Sequence, residues 1–106
     1  MAFTNSPLVS YTRISPKRSS REGHAIDTIT IHCAAAQAEV ETLGSLFQTK
    51  QASANYGIGP DGRVGMYVEE KERSWATSNG ANDRRAVTIE VACNNKHPYA
   101  VRDKAY

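Results

Sequence analysis

Two ionisable residues occupy matching positions in two stretches that have the pattern of β-strands. His32 lies in residues 28–33, TITIHC, and Glu90 lies in residues 86–92, AVTIEVA. In both stretches β-branched residues alternate along the chain, which is typical of a half-buried strand. A neutral imidazole is the commonest metal ligand, and a carboxylate beside it can act as a general base. The matching alternation predicts that His32 and Glu90 lie close together on the less apolar face of one sheet.

Each of these two residues also has a simpler interpretation. A histidine at the end of a strand often serves only as a hydrogen-bonded structural residue. A glutamate among β-branched residues is a poor strand former, which a strand tolerates when the side chain is exposed or functional. The two residues alone therefore indicate a candidate site without establishing it.

The elements that must position this pair can be placed along the chain. Residues 38–50 have apolar side chains at helical spacing, with Val40, Leu43 and Phe47 on one face, and predict a helix that covers the sheet. Residues 55–68 contain a Pro-Asp-Gly turn between two short apolar runs and predict a hairpin. Residues 1–23 are rich in prolines, serines and basic side chains, and we expect an irregular, solvated basic arm. Residues 101–106 could begin a further helix.

Composition limits the class of protein. The 106 residues suffice for a single domain, and 40% hydrophobic with 23% charged residues fits a soluble globular protein. A net charge of +2 is too small to argue for a nucleic-acid partner. The sequence has no apolar run long enough to span a membrane. The first residues lack the basic start and apolar core of a signal peptide, so we expect synthesis and retention in a cytoplasm until release.

The two cysteines, Cys33 and Cys93, allow three interpretations. By alternation, each falls on the apolar face of its strand, the face opposite His32 and Glu90. Buried free thiols are the first interpretation, a metal ligand the second and a disulfide the third.

The order of these pieces resembles the zinc-dependent N-acetylmuramoyl-L-alanine amidases, a family that includes phage endolysins and the animal peptidoglycan recognition proteins. The phrases that carry the resemblance are ITIH at 29–32, NYGIG at 55–59, VEEK at 68–71 with RSW at 73–75, and TIEV at 88–91. It covers residues from about 7 to 106. It implies an α/β fold with a mixed central β-sheet, helices packed against it and a zinc ion in a groove on one side.

The resemblance also implies roles for particular residues. His32 matches the first zinc ligand of the family, and Glu90 matches the strand carboxylate used beside the metal. Tyr56 matches a position where some members place a tyrosine near the zinc-bound water. Trp75 is similar to a residue of the substrate groove. Arg85 is a candidate substrate-binding residue, with an ordinary surface charge as the alternative.

The chain departs from the family in one respect. The family takes its second and third zinc ligands from a C-terminal portion that would begin near Val101, so they are expected beyond residue 106. Neither His24 nor His97 stands where the second ligand should be. We therefore expect a C-terminally truncated catalytic domain that is incomplete alone and tends to associate with itself or with a C-terminal fragment.

The implied function is that of a phage or prophage endolysin. Such an enzyme hydrolyses the amide between N-acetylmuramic acid and L-alanine in bacterial peptidoglycan, with zinc activating a water molecule. The alternative is a non-catalytic peptidoglycan-binding module of the same fold. The ligand set distinguishes the two, because a module without three protein ligands holds a catalytic zinc poorly.

Overall fold

A five-stranded mixed sheet forms the centre of the chain, and a two-stranded sheet lies beside it. The computed structural model describes residues 4–77, 79–96, 98 and 100–106. The strands and helices are β1 (Val9–Thr12), β2 (Arg18–Ser20), β3 (Thr28–Cys33), α1 (Val40–Thr49), β4 (Tyr56–Ile58), β5 (Val64–Met66), β6 (Glu72–Ser74), α2 (Gly80–Arg85) and β7 (Ala86–Val91). The larger sheet has the strand order β1-β5-β4-β7-β3, and β2 pairs with β6 in the smaller one.

The two strands predicted from alternation are direct neighbours in the sheet. β3 and β7 pair in parallel over six residues, from Thr28 with Ala86 to Cys33 with Val91. On its other side β7 pairs in parallel with β4, which in turn forms an antiparallel hairpin with β5. The fold is therefore the α/β arrangement with a mixed central sheet that the sequence indicated.

The helix α1 covers one face of the sheet through close contact with glycines. A Cβ atom added to Gly57 would come within 2.8 Å of Leu43 Cδ1, so the helix packs directly against the backbone of β4. Val40, Leu43 and Phe47 are buried as predicted. The Phe47 and Tyr67 rings meet edge to face with their centroids 5.2 Å apart. The core therefore lies between α1 and the β4–β5 side of the sheet.

The opposite face of the sheet differs from the expectation. Ile29 and Ile31 of β3 are 68% and 67% exposed, although alternation marked them as the apolar face. Alternation identifies which residues share a face, but only tertiary packing decides which face is covered. Here α1 packs on the face that carries His32 and Glu90, and the face with Ile29 and Ile31 remains largely open.

The cysteines form a disulfide between Cys33 and Cys93, with Cα atoms 5.8 Å apart. The first interpretation, buried free thiols, is therefore wrong. Cys33 ends β3 and Cys93 follows β7, and the pairing of these adjacent strands brings the two thiols within bonding reach.

The N-terminal segment contains more regular structure than predicted, and residues 80–85 form a short helix. The expectation of an irregular arm over residues 1–23 is wrong for β1, which pairs with β5, and for β2, which pairs with β6. The turn-rich stretch after Trp75 contains α2. Asn79 caps this helix by accepting hydrogen bonds from the backbone amides of Ala81 and Asn82. Strands of three or four residues are too short for an alternation of apolar and polar side chains to be recognised in the sequence.

Two further expectations concern the chain as a whole. Residues 101–106 form a turn instead of a helix, with the amides of Ala105 and Tyr106 donating to the carbonyl of Arg102. In the part of the chain that the structure describes, no helix has the length and apolar character needed to cross a bilayer.

Candidate active site

His32 and Glu90 meet in the ladder between β3 and β7. They are paired residues of the two strands, and His32 Nδ1 lies 3.3 Å from Glu90 Oε1. The prediction that they lie together on one face is therefore confirmed. The same ladder pairs Glu90 with Gly57 on β4, and Gly57 faces α1. The pair thus lies on the side of the sheet that α1 covers.

The surroundings of Glu90 suit a carboxylate that exchanges protons. Its side chain is 18% exposed, and burial raises the pKa of Glu90 above its usual value. The contact with the His32 imidazole and the charge of Lys50 oppose this rise in the pKa of Glu90. Raised carboxyl pKa values in clefts are typical of general acids and bases. The pair can therefore accept, hold and return a proton.

A polar cavity lies on the same face of the sheet. It has a volume of about 300 Å³ and is lined by Gln51, Arg73, Trp75, Gly80 and Asp83. The last two belong to α2, and Asn82 of that helix donates a hydrogen bond to Thr30 Oγ1, two residues before His32 on β3. The cavity and the His32–Glu90 pair therefore share one side of the molecule.

Trp75 is held firmly at the wall of this cavity. Its indole nitrogen donates to Ser19 Oγ at 2.9 Å, and its backbone amide donates to Ser53 Oγ at 3.0 Å. A fixed, half-exposed indole offers a rigid apolar surface to a ligand at low entropic cost. This position is compatible with the groove role implied for Trp75.

Tyr56 is placed differently from the expectation. The ladder pairs it with Ile89, so its side chain lies on the face opposite His32 and Glu90. Its hydroxyl donates to the Glu70 carboxylate and accepts from the Ser6 amide at 2.8 Å. Burial, together with the Glu70 contact, raises the pKa of Tyr56 to about 12. The expected role of Tyr56 near the reacting water is therefore wrong, because the alternation of β4 turns this side chain away.

Arg85 is also separated from the pair. Its guanidinium donates twice to the Asp27 carboxylate, at 2.7 and 2.6 Å. Asp27 precedes the first residue of β3, whereas His32 lies near the last, so about 16 Å of strand separates the two ends. Arg85 therefore lies apart from the His32–Glu90 pair, and its substrate-binding role stays a prediction beside the alternative of a surface charge.

The residues that the structure describes do not assemble a complete metal site. Among them, no group of three His, Cys, Asp or Glu side chains could hold a metal ion. The Cys33 and Cys93 sulfurs are bonded to each other. His24 belongs to the loop before β3, where its amide donates to the Arg21 carbonyl. His97 lies outside the described residues.

Two residues near the pair were missed at the level of sequence. Lys50 directly follows α1 and carries no sequence signal of a role, yet its charge lowers the pKa of Glu90. Asn82 belongs to no recognisable motif, yet it links α2 to Thr30 of β3. The cap at Asn79 could have revealed α2, but nothing local to the sequence relates Lys50 to Glu90.

The comparison with protein families agrees with this fold. The profile of the N-acetylmuramoyl-L-alanine amidase family, Amidase_2, matches residues 22–106. The chain therefore belongs to this family. No curated protein matches the chain significantly.

Solved structures share the fold at low sequence identity. A selenomethionine derivative of AmpD superposes with a TM-score of 0.70 at 14% identity, over 98% of this chain. A mutant endolysin from Bacillus subtilis has a TM-score of 0.67 at 15% identity over 80%, and a mutant of PlyL has 0.61 at 12% over 87%. The matched regions span 72%, 61% and 59% of those three chains.

Proposed function

We propose that the complete protein is a peptidoglycan hydrolase that cleaves the amide between the lactyl group of N-acetylmuramic acid and L-alanine. The observation that carries this proposal is the contact between His32 and Glu90, 3.3 Å apart on the helix-covered side of the sheet. Family membership supplies the class of reaction, and the pair supplies the means of moving a proton. Bacterial peptidoglycan is then the partner.

Glu90 has the chemistry of the general base. Amide hydrolysis requires a water oxygen to attack the carbonyl carbon while the water gives up a proton. Glu90 accepts that proton and returns it to the leaving nitrogen as the carbon–nitrogen bond breaks. A free carboxylate and the amino terminus of L-alanine result. Burial raises the pKa of Glu90, and a raised pKa makes its carboxylate a stronger base for this transfer.

A zinc cofactor is part of the proposal for the complete protein. The described residues by themselves do not provide a complete zinc site. Catalytic zinc sites use three protein ligands and leave one position open. His32 offers one imidazole, and no group of three ligands occurs among the described residues. The remaining ligands must therefore come from residues other than those described.

A peptidoglycan-binding module without catalytic activity is the second candidate function. It is favoured by the same lack of a three-ligand group among the described residues. The cavity beside Trp75 would serve such a module equally well. The two candidates differ in whether bound peptidoglycan is cut.

Digestion of purified peptidoglycan by the product of the complete gene tests the proposal. We expect new amino-terminal L-alanine and free muramic acid carboxylates in the mass spectrum. Glu90→Gln should abolish them and retain binding. Glu69→Gln is the matched control, because the Glu69 side chain is 39% exposed against 18% for Glu90, and its charged neighbour is Lys71 at 3.8 Å. Cleavage of the glycan strand would contradict the proposal, and binding without cleavage would favour the second candidate.

The proposed place of action follows from the substrate. An endolysin is made in the cytoplasm of a host cell and acts on the cell wall after release. We propose this phage or prophage origin and this location. Lysis of host cells only after membrane permeabilisation would support them, and lysis from within intact cells would contradict them.

A further inference from the structure

We propose that the Cys33–Cys93 disulfide is a redox-responsive clamp that positions His32 against Glu90. The two sulfurs join the end of β3 to the segment that follows β7. His32 precedes Cys33 by one residue, and Glu90 precedes Cys93 by three. The inference rests on the role proposed for this pair, but the contact itself can be measured without hydrolysis.

The position of β3 explains why a clamp is needed there. β3 is an edge strand of the five-stranded sheet, and β7 is its one ladder partner among the described residues. Edge strands open more easily than central ones, because one side of the backbone lacks a ladder. Of the described residues, only Glu90 contacts the His32 ring through a polar group. The imidazole therefore depends on the backbone of β3 for its placement.

Each end of this edge strand is fastened separately. At the first end, the Asp27 amide donates to the Arg85 carbonyl and the two side chains form an ion pair. At the other end, the Ala34 amide donates to the Val91 carbonyl at 2.9 Å, and the disulfide follows. His32 lies close to the disulfide end and far from the ion pair.

The surroundings of the sulfurs are organised around the bond. The amide of Ala35 donates to both sulfurs, at 3.3 Å to Cys33 and 3.2 Å to Cys93. Ala35 has a φ of 55°, a backbone conformation that residues other than glycine seldom adopt. The chain thus turns sharply so that one amide faces the bonded pair.

The bond is accessible to small thiols at one of its two sulfurs. Cys33 is exposed, whereas Cys93 is fully buried. A small thiolate attacks the Cys33 sulfur, the disulfide breaks, and Cys93 leaves as a thiolate that takes up a proton. A second small thiol then frees Cys33, which yields two protein thiols and one small disulfide. The reverse exchange with a small disulfide closes the clamp.

The expected consequence is a local change at the site. Reducing compartments keep such cysteines as free thiols, and oxidising compartments allow the disulfide to form. The oxidised chain holds the ends of β3 and β7 together and keeps the His32–Glu90 contact. The reduced chain retains its fold but frays at the end of β3, where the contact is then lost for part of the time.

Hydrogen exchange followed by mass spectrometry tests this clamp. We expect reduction with a small dithiol to speed amide exchange at least about tenfold in residues 26–36 and 86–95, and less than about threefold in the hairpin of residues 56–66. The double variant Cys33→Ser with Cys93→Ser should resemble the reduced protein and should not respond to the reductant. A uniform rise in all segments would overturn the proposal, because the bond would then stabilise the whole fold.

A second measurement reads the contact directly. The ring resonances of His32 should differ between the oxidised wild type and Glu90→Gln, and reduction should diminish that difference. If the difference survives reduction, or if the air-oxidised protein contains two free thiols, the clamp does not exist. None of these readouts depends on hydrolysis, so a failure of the amidase proposal would leave them unchanged.

Discussion

Glu90 is the ladder partner of His32, and the two side chains meet at 3.3 Å on the face of the sheet that α1 covers only in part. The arrangement places a buried carboxylate beside a half-exposed imidazole without a compensating guanidinium. Such a carboxylate costs the native state stability when it is ionised. A carboxylate that is destabilised in this way is expected at a site for proton transfer.

Glu90→Gln should raise the free energy of unfolding more at neutral pH than at acidic pH. Burial raises the pKa of Glu90 in the native state, so the native state binds a proton more readily than the unfolded state. Its contribution to the free energy of unfolding therefore falls as pH rises from the usual carboxyl range through the raised pKa. The Gln variant lacks this contribution to the pH dependence of the free energy of unfolding. Urea unfolding at several pH values between 4 and 8 measures that dependence.

Glu69→Gln is the control for this measurement, because the Glu69 side chain is more exposed than that of Glu90 and lies 3.8 Å from Lys71. It should keep the slope of the wild type. A Glu90→Gln profile parallel to that of the wild type would show that the carboxyl is not perturbed.

Leu43→Ala should destabilise the chain by roughly 2–5 kcal/mol, because it opens a cavity in a packed core. Leu43 is 4% exposed and contacts Phe47 and Tyr67 in the core cluster under α1. Leu46 lies on the same helix and is 46% exposed. Leu46→Ala is therefore the matched control, with an expected loss under about 1 kcal/mol. Equal losses for the two variants in urea unfolding would contradict the assigned face of α1.

These two regions also show how far the sequence predicts the structure. The strands with His32 and Glu90 and the helix with Leu43 have alternation or helical spacing long enough to be recognised. Their matching patterns also predict that the two strands lie close together. The sequence did not predict which face of β3 is covered, because the exposure of Ile31 depends on where α1 packs and not on the strand itself.

The rest of the candidate site depends on register and distant contacts. Tyr56 has a suitable side chain, but a shift of one residue along β4 decides its face, and that register is set by pairing with β7. The disulfide could be predicted only by knowing that β3 and β7 are adjacent, because Cys33 and Cys93 are 60 residues apart in sequence. Local patterns carry no information on either point.

Asp27→Asn should reduce stability at neutral pH and flatten its acid dependence. Hydrogen bonds from Arg85 and then from Thr28 lower the pKa of Asp27 to about 2. A carboxyl with a lowered pKa contributes stability that is present above its usual pKa and is lost as pH falls towards 2. Asp27 is fully exposed to solvent, so the effect is small and falls with added salt.

Arg85→Gln should produce the same flattening, and the double variant should add nothing further. Asp103→Asn, at an exposed aspartate without a basic partner among the described residues, should keep the acid slope of the wild type. Arg85→Gln should also leave peptidoglycan binding unchanged, since its guanidinium is far from His32. Weakened binding would support Arg85 as a substrate-binding residue.

The 106-residue chain alone should bind far less than one zinc per molecule and should not lyse cell walls. Among the described residues, His32 has no second and third ligand within reach, and one imidazole competes poorly with water and buffer for the ion. Cys33 and Cys93 cannot substitute while they are bonded to each other. Metal analysis after gel filtration, followed by turbidity loss of purified walls, measures both properties. The comparison is the same chain supplied in trans with the C-terminal portion of an amidase domain, which should restore zinc and lysis together. One tightly held zinc and full lysis by the chain alone would contradict this prediction and would assign the missing ligands to residues such as His24 or His97.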